Sequence, residues 1–260
     1  MKIIFSDLDG TLLNHDSYSY SKAKDALILI KKKKIPLIFC TSKTRAEIEF
    51  WRKKIGNNEP FISENGGGIF IPRNYFPFTY LYSKKEKEYY VIEFGSHIQR
   101  LESVLNKMKK NYLIKSFSDM TIDEIASDAN VDRDIAFLSK QREYDIPFKL
   151  LDINQKDDVL NEIKRLNLSY TRGGRYFHLI GNHSKGDAIE TLTYLYDKHF
   201  DTVETVGIGD SENDFSMLDT VEKPYLVQRG DGSYASEKYI QADGAGPEGW
   251  KKIIYSELKE

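Results

Sequence analysis

Short apolar runs alternate with amphipathic stretches over the first 72 residues of the chain. Lys2 to Ser6 is an apolar run of strand length. After a polar loop, Ala23, Ala26, Leu27 and Ile30 fall at i, i+3, i+4 and i+7, which predicts a helix with one buried stripe and its lysines outside. Ile35 to Cys40 reads as a second buried strand. Thr44-Arg45-Ala46-Glu47 has the spacing of a capping box, and the helix it opens carries Ile48, Trp51 and Ile55 before Gly56 ends it. Phe61 to Ser63 gives a third strand and Ile69 to Ile71 a fourth.

The rhythm changes after Pro72. An aromatic, lysine-rich stretch leads into a strand at Tyr89 to Phe94 and a helix capped by Ser96, with the stripe Ile98, Leu101, Leu105, Met108. A strand at Leu113 to Phe117, a short helix after Thr121, a strand at Pro147 to Leu151, a helix with Leu160, Ile163 and Leu166, and a hairpin turning at Gly173-Gly174 follow. From Ser184 the first rhythm returns: a capped helix with Ile189, Leu192 and Tyr196, a strand from Thr205 to Ile208, a short helix, a strand from Tyr225 to Gln228, and a helix beginning at Pro247. The fold class expected is α/β, a doubly wound, Rossmann-like parallel sheet built from residues 1–82 and 182–260, interrupted by an α+β cap at 83–181. Such sheets bind ligands at the carboxyl ends of their strands, where Asp7, Thr41 and Glu64 would lie.

Composition narrows the functions open to this fold. The chain has 260 residues with Lys+Arg 38 against Asp+Glu 40, a formal charge of −2 that gives no global attraction for nucleic acid or an acidic membrane. A small-molecule partner is the expectation, with the chain a monomer or homodimer. Cys40 is the one cysteine, so an intramolecular disulfide and a cage of several thiolates are both impossible, and buried packing is its expected role. No apolar run approaches the roughly 20 residues that span a bilayer, and the N-terminus shows no cleavable signal pattern, so a cytoplasmic location is expected.

Two acidic clusters at predicted strand ends carry the chemistry. In Phe5-Ser6-Asp7-Leu8-Asp9-Gly10-Thr11, two carboxylates stand at the end of a buried strand before a glycine turn, a costly arrangement unless a cation sits between them. A plain polar strand end before an Asp-Gly turn is the alternative. The second cluster, Gly207-Ile208-Gly209-Asp210-Ser211-Glu212-Asn213-Asp214, also follows an apolar run. It could simply cap a helix, or it could share one metal with the first.

In order along the chain, Asp7-Leu8-Asp9-Gly10-Thr11, Thr41 after a strand, Lys185 in Ser-Lys-Gly-Asp-Ala, and Gly-Asp-Ser-Glu-Asn-Asp resemble the four motifs of the haloacid dehalogenase superfamily. The insert resembles that of its lidded, Cof-like sugar-phosphate phosphatases. Phe39-Cys40-Thr41-Ser42-Lys43-Thr44-Arg45 and Ser63-Glu64-Asn65-Gly66-Gly67 look like the corresponding segments of mannosyl-3-phosphoglycerate phosphatases. The resemblance implies Asp7 as the nucleophile that forms a phospho-aspartate, Asp9 as acid and then base, and Lys185 and Thr41 as ligands of the phosphoryl oxygens. It implies Mg²⁺ as cofactor, held by the Asp7 and Asp210 carboxylates and the backbone carbonyl of Asp9. Asp214 joins that metal set and, with Asn213, is better placed behind it, orienting water or Lys185.

The resemblance makes a small phosphorylated sugar-glycerate the expected substrate, mannosyl- or glucosyl-3-phosphoglycerate, in the synthesis of a compatible solute. Asp9 argues against dehalogenation, since a halide leaves without a proton. Arginine forks and exposed turn N–H groups suit a glycerate carboxylate, which makes Arg172-Gly173-Gly174-Arg175 the expected specificity turn, with Arg142 a further candidate and Arg133 also in the lid. Ser42, Lys43, Glu64, Asn65 and Asn213 flank the expected crevice and are candidates for sugar hydroxyls. His183 lies close to Lys185 in sequence, and His178, in a strand, reads as a satisfied imidazole. Other lidded sugar phosphatases acting on sucrose, trehalose or hexose phosphates, a phosphomutase, and a non-catalytic binding protein on the same sheet are the competing readings.

Overall fold

The computed structural model describes residues 1–259. In chain order its elements are β1 (Lys2–Ser6), α1 (Lys24–Lys33), β2 (Leu37–Cys40), α2 (Arg45–Ile55), β3 (Phe61–Ser63), β4 (Gly68–Pro72), β5 (Lys84–Lys85), β6 (Tyr89–Glu93), α3 (Ile98–Met108), β7 (Ile114–Ser116), α4 (Ile122–Ala129) and α5 (Arg133–Ser139). They continue with β8 (Asp145–Leu150), α6 (Lys156–Arg165), β9 (Ser169–Arg172), β10 (Phe177–Ile180), α7 (Lys185–Phe200), β11 (Glu204–Gly209), α8 (Phe215–Thr220), β12 (Lys223–Gln228), β13 (Ile240–Ala245) and α9 (Pro247–Leu258).

Successive residues of a strand face opposite sides of a sheet, and β1 shows the result. Ile4 packs with Phe39, Trp250 and Ile253 on one side, while Ile3 and Phe5 pack with Ile189, Leu192 and Met217 on the other. Helices therefore cover both faces, as expected of a doubly wound α/β fold. The large sheet has nine strands in the order β13-β12-β11-β1-β2-β3-β4-β6-β5. The run from β13 to β3 is parallel. β4, β6 and β5 are antiparallel additions at one edge. A second sheet, β7-β8-β10-β9, is antiparallel and packs its apolar face on α3 and α6 through Phe148, Leu179, Leu105 and Ile163.

Three details differ from the expectation. The cap was expected to begin at residue 83, but β5 and β6 extend the large sheet, and the chain crosses to the second sheet only after Phe94. Compositional change marks the loop after Pro72, whereas Tyr89 and Val91 are buried against β4 like any core strand. Ser96 does not cap α3: the helix starts one residue later, with His97 at its N-cap. α5 and β13 were not foreseen, because α5 is too short to display a period and β13, with Asp243 and Gly244 in its middle, buries none of its residues.

The two sheets meet around Tyr144, whose ring is fully buried. A Cβ on Gly67 would lie 2.4 Å from the Tyr144 Cβ, and one on Gly95 2.5 Å from the same atom. The opposing atom is next to the backbone and cannot swing away. Gly67→Ala is therefore expected to destabilise the fold by about 2–3 kcal/mol, read from urea unfolding. An unchanged midpoint would mean the two sheets separate freely at this point.

Candidate active site

The carboxyl ends of the parallel strands bring both acidic clusters together. Asp7 follows β1, and its N–H donates to the carbonyl of Ile208 on β11 at 2.9 Å, so strand pairing alone sets Asp7 beside Asp210. Gly10 turns the chain at φ +71°, and a Cβ there would lie 2.7 Å from an Asp210 carboxylate oxygen, so only glycine fits. Lys185 is the first residue of α7, which a capping box between Ser184 and Asp187 opens. Its Nζ lies 3.0 Å from Asp7 Oδ1 and 2.6 Å from Asp214 Oδ1.

Carboxylate oxygens of Asp7, Asp210 and Asp214 lie within 4.8 Å of one another, all buried. Burial, reinforced by Asp214 and Asp210, pushes the Asp7 carboxyl up to about 8 despite Lys185. Burial and then Asp214 push Asp210 up to about 7. For Lys185, burial works to lower the pKa, and Asp214 and Asp7 together outweigh it and raise it. One ammonium thus faces three carboxylates, and a hard, oxygen-seeking divalent cation suits the remainder. Asp214 is already engaged: Oδ1 takes Lys185, and Oδ2 accepts from the backbone N–H of Asp210 at 3.0 Å and of Ser211 at 3.1 Å. Asp210 is oriented by the hydroxyls of Thr11 at 3.1 Å and Ser211 at 2.7 Å.

Above these groups is a cavity between the two sheets. Asp7, Asp9, Ser42, Lys43, Arg142, Gly173, Gly174, Asp210 and Asn213, all expected at the site, line it. Lys43 is buried, with Nζ 2.8 Å from Asp9 Oδ2 and 3.3 Å from Glu47 Oε1. Arg142 donates to the carbonyl of Ser42 at 2.7 Å and to that of Ser139 at 2.8 Å, which ties the lid to the loop after β2. Thr41 is buried below, its hydroxyl 3.4 Å from the N–H of Lys43.

Other expected residues are placed differently. Glu64 does not face the cavity: its carboxylate accepts from the backbone N–H groups of Glu143 and Tyr144, at 2.8 Å for the latter, and so fastens β8 to the large sheet. Asn65 is buried between Asn213, at 3.3 Å, and Asp145, at 2.7 Å. Arg172 stands over the Phe177 ring and opens on a neighbouring cavity beside Arg229, because alternation along β9 points it away from the lysine and arginine side. Gly173 donates its N–H to Tyr176 within the hairpin, so that donor is not free for a carboxylate. His183 is buried beside Glu64, and burial lowers its pKa.

His15, Tyr18, Glu47, Phe117 and His178 also line the cavity and were not among the expected site residues. For Glu47 the capping-box reading is right and incomplete, since the side chain caps Thr44 and also meets Lys43. Nothing in the sequence around His15 or Tyr18 signals a site; the loop before α1 simply folds back over Asp9.

A haloacid dehalogenase-like hydrolase family matches residues 4–236. The chain belongs to that family. Its relatives include a glucosyl-3-phosphoglycerate/mannosyl-3-phosphoglycerate phosphatase of Methanococcoides burtonii, 44% identical in an alignment that covers 97% of this chain and 95% of the relative. A protein of the same description from Persephonella marina is 38% identical over 99% of this chain and 97% of its own. A mannosyl-3-phosphoglycerate phosphatase of Pyrococcus furiosus is 35% identical over 87% of this chain and 91% of its own. Among solved structures, a haloacid dehalogenase-like hydrolase from B. subtilis superposes with a TM-score of 0.69 at 19% identity and full coverage of both chains, which speaks for the fold. This haloacid dehalogenase-like hydrolase is a phosphatase, as the resemblance of its motifs implied. Among the described residues, no helix is long and apolar enough to cross a membrane.

Proposed function

We propose that this phosphatase hydrolyses 2-O-glycosyl-3-phosphoglycerates, accepting glucosyl and mannosyl esters alike, as a cytoplasmic step in making a glycosylglycerate compatible solute. The observation that carries the reading is the pair of relatives matched along nearly the whole chain, both described by the two substrates together. The site agrees with it: acidic groups and Lys43 lie at the floor of the cavity, and Arg142 with the apolar Phe117, Val131 and Ile135 line its lid side.

The placement of each group supports a two-step displacement. An Asp7 carboxylate oxygen attacks phosphorus in line with the ester oxygen, and the P–O bond to the leaving group breaks as the bond to Asp7 forms. Asp9 gives its proton to the leaving oxygen and later takes one from the water that attacks phosphorus, the bond to Asp7 breaking as inorganic phosphate is released. Lys185 and the Thr41 hydroxyl hold the phosphoryl oxygens, with Lys185 fixed by Asp214. Lys43 positions the Asp9 carboxylate. Mg²⁺, held by Asp7, Asp210 and the backbone carbonyl of Asp9, would neutralise the repulsion between an anionic nucleophile and an anionic ester.

The test is phosphate release with Mg²⁺ from glucosyl-3-phosphoglycerate, mannosyl-3-phosphoglycerate, sucrose 6-phosphate and mannose 6-phosphate. Preference for the two glycerate esters is the expected result. Best turnover of a simple sugar phosphate would keep the chemistry and discard the substrate, and loss of ester without free phosphate would point to a mutase.

A further inference from the structure

His178 sits on β10 with its side chain buried, and it nevertheless forms part of the cavity wall. Its Nδ1 is 2.9 Å from each oxygen of Asp145, a residue with no exposure at all. A carboxylate in that position keeps a proton on Nδ1 and fixes the plane of the ring. The hydrogen bonds of the described residues leave Nε2 without a protein partner. A Cβ on Gly173 would lie 3.4 Å from Nε2, which places that atom directly beneath the Gly173-Gly174 turn.

The pair is joined to the catalytic floor. Asp145 accepts from Asn65 Nδ2 at 2.7 Å, and Asn65 Oδ1 faces Asn213 Nδ2 at 3.3 Å. A row of polar side chains therefore runs from the loop of Asp210 to the lid hairpin. For packing alone, such a buried row gains nothing over apolar side chains of the same volume. The cationic side chains around the cavity are, by contrast, already engaged: Lys43 with Asp9 and Glu47, Arg142 with two backbone carbonyls, and Arg175 with the carbonyl of Ala129. His178 offers a fixed, unpartnered hydrogen-bonding atom in the lid, facing the space where the organic part of the ester must go.

We propose that His178 is a specificity-determining residue. Its Nε2, the acceptor nitrogen once Asp145 holds the proton on Nδ1, accepts a hydrogen bond from a hydroxyl on the carbon frame of the substrate, a sugar hydroxyl in a glycosyl-phosphoglycerate ester, while Asp145 holds the ring in place. The substrate named here rests on the proposed function; the contact does not. Asn65 and Asn213 act as positioning residues that keep the dyad in register with the catalytic loop.

The experiment compares wild type, His178→Asn and His178→Gln on the ester that the wild type cleaves best and on p-nitrophenyl phosphate. Asparagine keeps an amide where Nδ1 was, within reach of Asp145, and has no atom where Nε2 was. Glutamine restores a polar atom there. The ratio of kcat/KM for the preferred ester to that for p-nitrophenyl phosphate is expected to fall about 50-fold in His178→Asn, mainly through KM, and to recover to within about 5-fold of wild type in His178→Gln. An unchanged ratio, or a parallel fall on both substrates, would overturn the proposal by leaving the ring a purely structural prop. If the preferred ester carries no glycerate, the substrate reading fails, and the ratio measured on that ester still decides the role of His178. A wild type without any preference would overturn both.

Discussion

Asp7→Asn is expected to lower phosphate release by about 10⁴-fold or more, because an amide oxygen cannot serve as the nucleophile of an in-line displacement. The fold should survive the change. Asparagine has nearly the same shape, and Lys185 keeps its 2.6 Å contact with Asp214. The substitution also removes one of three clustered buried carboxylates, so in the absence of divalent cations the variant is expected to melt no lower than wild type. Single-turnover phosphate release and a thermal melt in chelator check the two halves. Wild-type turnover would place the nucleophile elsewhere, and a collapsed melt would show that Asp7 is needed for folding rather than chemistry.

Removing Mg²⁺ is expected to abolish turnover and to make stability fall as pH rises. In the metal-free protein, Asp7 titrates near 8 and Asp210 near 7, both raised first of all by burial, whereas in the unfolded chain each titrates near 3.8. Between those values the folded state binds more protons at these two groups than the unfolded one, so their contribution to stability is fully present below about pH 4 and is lost as the pH rises through about 8. Glu64, pushed up to about 8 by burial, adds to the same slope. Mg²⁺ requires the carboxylates ionised, so its binding should release protons near pH 7 and reverse the decline contributed by Asp7 and Asp210. Melting temperatures across that range, with chelator and with millimolar Mg²⁺, give the answer. Parallel curves would mean that Asp7 and Asp210 do not hold the cation.

Much of the site was readable because its parts are local. A strand, two carboxylates and a glycine turn occupy adjacent positions in Phe5 to Thr11, and Ser184 to Asp187 announces the start of α7 in the same way. The lid was less legible for the opposite reason. Arg172 and Arg142 have the same chemistry in the sequence, yet only Arg142 reaches the active-site cavity, because strand alternation and packing set their directions. Glu64 looked like a sugar ligand and instead accepts the backbone of Tyr144 across 80 positions of chain. His178 looked satisfied; half of its ring is.

The sequence by itself determined the doubly wound sheet, the strand ends that carry Asp7, Thr41 and Asp210, and the capped helix that begins with Lys185, since apolar periodicity, capping boxes and glycine turns act over a few residues. Tertiary structure alone decided that Asp7, Asp210 and Asp214 come within 4.8 Å of one another, that β5 and β6 belong to the large sheet, and which lid side chains face the cavity. Those outcomes depend on the pairing of distant strands and on the burial that follows from it, and burial is what turns ordinary carboxylates into a site that calls for a cation.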